Sequence, residues 1–146
     1  MKIIRTTENY NKYMHLLLIG DESVDMVKTY INSCDIYILY DIKPIGICAV
    51  LADKNIIEIK NIAILPENQH KGYGSKFLKS VIEKYKGKAE KVIVGTGESP
   101  ITVSFYKNLG FVYSHRIKDF FTINYNHPII EAGVTLKDMV YFKKNI

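Results

Sequence analysis

The chain lacks most of what would mark a membrane, disulfide-stapled, metal-binding or repeat protein. No run approaches the roughly 18 to 20 consecutive apolar residues of a membrane span, and no internal repeat, low-complexity tract or interdomain linker breaks the 146 residues. The opening Met1-Lys2-Ile3-Ile4-Arg5-Thr6 has the pattern of a strand, not of a signal peptide, so the expected location is cytoplasmic, with no membrane partner. Only two cysteines are present, Cys34 and Cys48, at a spacing that suits neither a disulfide framework nor a metal site. Both are expected to be reduced core residues. Four scattered histidines (His15, His70, His115, His127) add no ligand cluster, and no metal is expected. The net charge is +5, but the lysines are dispersed and no helix-turn-helix, zinc or RNA-stacking signature accompanies them, which argues against nucleic acid as a partner. With 47% hydrophobic and 24% charged residues, the composition is that of one compact domain over residues 1–146.

What is present is a regular succession of elements. Ile3 to Thr6 reads as a strand, and Tyr10, Tyr13, Met14, Leu17 and Leu18 form the stripe of a helix. Ser23 is placed to cap a second helix with Val24, Val27, Ile31 and Cys34 inward. Strands follow at Ile36 to Tyr40, Ile45 to Leu51 and Ile56 to Leu65. A helix carrying Phe77, Leu78, Val81, Ile82 and Tyr85 comes next, then a short buried strand from Lys91 to Gly95. Ser99-Pro100 has the form of a cap followed by proline at the first helical position, and Gly110 sits where a left-handed terminator belongs, so Ile101 to Leu109 is predicted as a helix with Ile101, Phe105 and Leu109 inward. The remainder, Phe111 to His115, Phe120 to Tyr125 and Val134 to Phe142, reads as strands.

The segment between the fourth strand and its helix carries the chemistry. In Leu65-Pro66-Glu67-Asn68-Gln69-His70-Lys71-Gly72-Tyr73-Gly74-Ser75 an apolar strand breaks at proline and enters a helix through two glycines. Glycine admits positive φ and close approach of backbone to a ligand, and the helix start offers unpaired N–H groups with the positive end of the dipole. That arrangement suits a phosphate, with His70, Lys71 and Lys76 close by. The order is neither a Walker loop nor a dinucleotide fingerprint: Lys71 precedes the first glycine, and Phe77 stands where a third glycine would be needed.

This Gln-x-x-Gly-x-Gly loop, together with the element order, resembles the GNAT family of N-acetyltransferases over nearly the whole chain. The resemblance implies an α/β fold of α+β type: a mixed, mostly antiparallel central sheet of about seven strands with helices on both faces. It makes Gln69, His70, Lys71, Gly72, Tyr73, Gly74 and Ser75 the pyrophosphate loop for acetyl-coenzyme A, and gives the backbone at Ile62, Ala63 and Ile64 to the acetyl and pantetheine amides. Phe105-Tyr106-Lys107-Asn108-Leu109-Gly110-Phe111 matches a second family element, in which Ser99 and Thr102 take the positions of the usual asparagine and alanine beside the pantetheine arm. Glu58, four residues before Ile62, has the position of the general base in the histone-acetylating branch.

Chemistry explains the interest of these residues. A primary amine with pKa near 10.4 is neutral to below about one part in a thousand at pH 7, and only the neutral form attacks a thioester. A base, Glu58 or a water chain, must take the proton; backbone N–H groups near Ile62 to Ile64 meet the oxyanion, and Tyr106 is expected to protonate the departing thiolate. With Phe105 filling the inner stripe, the Tyr106 ring is expected beside the cofactor, outside the core. The expected activity is direct acetyl transfer from acetyl-coenzyme A to a primary amine of a small molecule or peptide, without an acyl-enzyme; the other reading is a regulatory module that binds acetyl-coenzyme A without catalysis. A homodimer is left open. Glu98, Asp119 and Glu131 are acidic residues with two readings, a preference for a cationic acceptor or plain surface charge.

Overall fold

The computed structural model describes all of residues 1–146. Its frame is a seven-stranded sheet: β1 (Lys2–Thr6), β2 (Asp35–Asp41), β3 (Lys43–Asp53), β4 (Ile56–Ile64), β5 (Lys91–Gly97), β6 (Val112–Ile117) and β9 (Met139–Asn145), in the order β1-β2-β3-β4-β5-β9-β6. Every pairing is antiparallel except β4 with β5. The helices are α1 (Met14–Gly20), α2 (Val24–Tyr30), α3 (Tyr73–Glu83), α4 (Pro100–Asn108) and α5 (Phe120–Asn124), and a small hairpin of β7 (Ile130–Glu131) and β8 (Val134–Thr135) stands apart from the main sheet. No helix is long and apolar enough to cross a membrane.

The sheet divides the interior in two. Alternation along β4 sends Ile57, Ile59 and Ile64 toward a core shared with Phe77, Leu78, Val81 and Ile82 of α3 and Tyr106 and Leu109 at α4. The opposite face packs Ile38, Ile47, Ala49 and Ala63 against Leu16, Leu17 and Val27 of α1 and α2. Burial of this apolar area, at about 25 cal/mol per Å2, supplies most of the drive to fold.

Two features of β4 open the sheet. Opposite β3, Ala49 pairs with Asn61 and Val50 with Ile59, so Lys60 is an extra residue and the strand bulges there. On its other side β4 pairs with β5 only from Ile56 to Ile59, while β5 runs on to Gly97 against β9. Beyond Ile59 and Val94 the two strands part, and the edge of β4 from Lys60 to Ile64 has no strand beside it.

Several elements differ from the sequence reading. Residues Phe120–Asn124 form a helix, not a strand, because β9 already has β5 and β6 on its two sides and the sheet has no place for another strand there. Val134 to Phe142 is likewise two pieces, the hairpin strand β8 and the sheet strand β9. The first helical stripe opens as a 3-10 turn over Tyr10–Tyr13, which shifts the phase so that Leu16 is buried with Leu17. Ser23 caps α2 as expected, its Oγ accepting from the Met26 N–H at 3.2 Å.

Candidate active site

The parting of β4 and β5 opens a cleft of about 570 Å3. One end is walled by the glycine loop and α4, the floor is β4 from Ile59 to Ile64 and β5 from Val94 to Gly97, and the other end is closed by the α1–α2 junction and the segment running from α5 to β8.

The glycine loop forms the first end. Gly72 precedes α3 with φ +83°, a conformation that L side chains rarely adopt, and a Cβ added there would meet nothing within 4 Å. No side chain caps α3. The backbone N–H groups of His70, Lys71, Gly72, Tyr73, Gly74 and Ser75 have no acceptor within the protein, the run resuming only where Lys76 N–H bonds the Gly72 carbonyl. A Cβ on Gly74 would stand 3.4 Å from the Phe105 ring, so backbone forms the surface on both sides of Tyr73. This concave row of N–H groups at a helix start fits a pyrophosphate. Gln69 holds the row against β4 by donating from Nε2 to the Ile64 carbonyl at 2.8 Å. His70, Tyr73 and Ser75 line the cleft with the glycines, whereas Lys71 is exposed and turned away from the lining.

Ser99 and Thr102 are engaged with each other and with α4. Ser99 Oγ accepts from the Thr102 N–H at 3.3 Å, and Thr102 Oγ1 donates to the Gly97 carbonyl at 2.8 Å. Thr102 reaches the cleft wall; Ser99 is buried behind it.

Tyr106 departs from expectation. Its ring is only 5% exposed and lies inside the core, edge-on to Phe105 and Phe111 and stacked 6.0 Å from Phe142, while Ile101 is 57% exposed. Of the stripe the sequence suggested, Leu109 is buried and Phe105 packs partly buried against the core, but Ile101 is exposed and Tyr106 takes the inward place beside them. Tyr106 still forms part of the cleft wall. Its Oη makes none of the protein's hydrogen bonds, and burial raises its pKa, so the hydroxyl stays protonated at neutral pH.

Glu58 lies apart from the main cleft. It opens on an adjoining hollow of about 160 Å3 and pairs with Lys60 across 3.2 Å. The hollow and the cleft share Asp21, Ile59, Lys60, Gly95, Tyr125 and Met139 as walls, so the two spaces are neighbours. Of the three acidic residues singled out in the sequence, only Glu131 lines the cleft. Glu98 is held by Arg116 through two bonds of 3.1 and 3.0 Å, and Asp119 precedes α5 with its N–H bonded to Asp138.

The far end carries residues the sequence reading did not single out. Asp21 accepts from Tyr125 Oη at 2.7 Å, Tyr30 Oη at 3.3 Å and its neighbour Ser23 N–H at 3.2 Å. Asn61 Nδ2 donates to the Leu17 carbonyl at 2.9 Å and to Tyr30 Oη at 3.1 Å. One signal was present: Asn61 falls at an inward phase of β4 between Ile59 and Ala63, where a polar side chain needs partners. Asp21 and Tyr125 are 104 positions apart, and no local pattern joins them. The fit around Asn61 is tight, since a Cβ on Gly20 would clash with Asn61 Oδ1. Gly20→Ala is therefore expected to destabilise by about 1–3 kcal/mol and lower the thermal midpoint by several degrees; an unchanged melt would show that the junction relaxes freely.

Comparison with known proteins accords with this geometry. Residues 32–113 match the model of the acetyltransferase (GNAT) domain. The chain belongs to the GNAT acetyltransferase family. It is an acetyl-coenzyme A dependent acetyltransferase, with acetyl-coenzyme A as cosubstrate. It is 33% identical over 137 residues, 91% of its own length and 88% of the relative's, to the uncharacterized N-acetyltransferase YvbK of Bacillus subtilis (strain 168). Among solved structures it is similar to a GNAT family acetyltransferase from Elizabethkingia anophelis with acetyl-CoA bound, with TM-score 0.92 and 33% identity over 99% of this chain and 97% of that one. A Bacillus subtilis acetyltransferase in complex with CoA gives TM-score 0.89 at 31% identity, covering 99% and 98%.

Proposed function

We propose that this GNAT chain transfers the acetyl group directly to a primary amine of a small molecule or peptide. The observation that carries the reading is the run of unpaired N–H groups from His70 to Ser75, which opens on the same cleft as the unpartnered edge of β4. The bound cosubstrate supplies an activated acyl carbon on a thiol leaving group. The glycine loop then holds the pyrophosphate, and the free edge at Ile62, Ala63 and Ile64 offers backbone groups to the pantetheine amide and to the acetyl oxygen. In the reaction a nitrogen lone pair forms the C–N bond, the C–S bond breaks, the amine loses a proton and the thiolate gains one. Tyr106, protonated and at the cleft wall, is assigned to the thiolate.

Direct transfer is supported by the cysteines. Neither lines the cleft; Cys48 is wholly buried, and burial pushes the Cys34 thiol up to about 12. Neither is placed or ionised to act as an acyl carrier.

Glu58 is assigned the amine proton, reached through the hollow that adjoins the cleft. Glu58→Gln is expected to lower turnover by about 10- to 100-fold and to remove the acidic limb of the pH–rate profile, with coenzyme A affinity kept. Steady-state rates from pH 5 to 9 check this. An unaltered profile would give the proton to another group.

A further inference from the structure

The far end of the cleft is built around hydrogen bonds that leave only acceptors unmatched. Asp21 Oδ1 takes both Tyr125 Oη and Ser23 N–H, while Oδ2 takes Tyr30 Oη alone and keeps one acceptor position. Tyr30 and Tyr125 use their hydroxyl hydrogens on Asp21, and burial raises the pKa of both, so they remain donors. Asn61 gives both amide hydrogens away, to Leu17 and Tyr30. Its Oδ1 has no donor, although the residue is 4% exposed; it lies against Gly20, another part of the cleft wall. A buried acceptor without a donor costs about 1–3 kcal/mol. Apart from Lys60, the side chains of this end therefore leave acceptors and not donors unmatched, the Asp21 carboxylate among them.

The surroundings narrow the complement further. Asp21 lines the cleft together with Lys60, Asn61 and Ile62 of the open edge of β4. The other acids of the wall are otherwise disposed: Glu22 faces His127 at 3.5 Å, and burial raises the Glu131 carboxyl pKa. The single cation there, Lys60, is matched by Glu58. Tyr125 lines the cleft and stacks on Phe121, Tyr30 carries Lys60 Nζ over its ring at 5.4 Å, and the rim carries the exposed Ile19 and Ile130.

We propose that Asp21 is the acceptor-binding carboxylate, taking the ammonium of a compact cationic amine with an apolar body, and that Tyr30, Tyr125 and Asn61 are positioning residues that hold it beside β4. An alkylammonium brings three N–H donors, no acceptor and one positive charge, which matches what the site lacks. The inference rests on the amine-acetylating reading and names the chemical class of its acceptor.

The test compares two probes of similar shape, benzylamine, a cation at pH 7, and aniline, which is neutral there. Binding to the coenzyme A complex is measured by calorimetry for wild type, Asp21→Asn and Tyr125→Phe. Wild type is expected to bind benzylammonium at least about tenfold more tightly than aniline. Asp21→Asn is expected to lose about tenfold or more for benzylammonium and less than about twofold for aniline, with Tyr125→Phe falling between and coenzyme A affinity unchanged in all three. Equal wild-type affinities, or equal losses for both probes in Asp21→Asn, would overturn the assignment. Failure of the transferase reading shows differently, as no thiol release from acetyl-coenzyme A with any amine, and leaves the binding comparison readable.

Discussion

Gly74→Asp is expected to yield a folded protein that no longer binds coenzyme A measurably. The position lies in the first turn of α3, in the middle of the N–H groups that have no acceptor in the protein. An added Cβ would be 3.4 Å from Phe105 and 3.9 Å from Ile64, contacts that small shifts accommodate, so the fold should survive with a melting temperature within a few degrees of wild type. The carboxylate, in contrast, would stand where the pyrophosphate must lie. Occupation of the N–H row by the carboxylate and repulsion between like charges a few ångströms apart together should exceed about 3 kcal/mol, more than 10²-fold in affinity. Gly72→Asp should act in the same direction, with added backbone cost at φ +83°. Calorimetry with coenzyme A, paired with thermal melts, separates lost binding from lost fold. A folded Gly74→Asp protein with wild-type affinity would remove the glycine loop from the cofactor site.

The second large effect is expected at Tyr106. Because its hydroxyl makes no hydrogen bond within the protein, Tyr106→Phe takes away no structural partner and keeps the ring that packs on Phe105, Phe111 and Phe142. Stability should therefore be unchanged or slightly raised. Turnover should fall by on the order of 10² or more, the range for one positioned acid, with little change in acetyl-coenzyme A binding. The burial that raises the tyrosine pKa keeps the proton available throughout the neutral range, so the loss should be the same at pH 6 and pH 8. A rate-limiting chemical step that proceeds at the wild-type rate in Tyr106→Phe would leave this tyrosine with a packing role alone.

The two sites differ in how they were legible. The glycine loop is contiguous, and its chemistry follows from backbone conformation, so eleven residues of sequence were enough to place strand, loop and helix in order. Strands β1 to β5 were legible for a similar reason, as β-branched runs bounded by turns or helices, whereas the sheet of about seven strands was what the family resemblance implied. The C-terminal part was misread where local propensity and topology disagree: Phe120–Asn124 is aromatic and β-branched, yet the sheet has no free edge beside β9. Tyr106 was misoriented because a helix phase was inferred from Ile101 and Phe105, and the depth of the β4–β5 opening decides which side of α4 meets the core. The far end of the cleft offered one local signal, the polar Asn61 at an inward position of β4. Its Asp21, Tyr30, Asn61 and Tyr125 come from four separate elements or connections and meet only through long-range hydrogen bonds.

Direct transfer to an amine is tested most squarely by mass spectrometry of the protein and its products after incubation with acetyl-coenzyme A, with and without a panel of primary amines that includes benzylamine, polyamines and peptide N-termini. Thiol release is expected only when an amine is present, in step with an N-acetylated product, and the protein mass should stay unmodified throughout. An acetylated protein that passes its acetyl group to the amine, or tight binding of acetyl-coenzyme A with transfer to no amine, would contradict direct transfer.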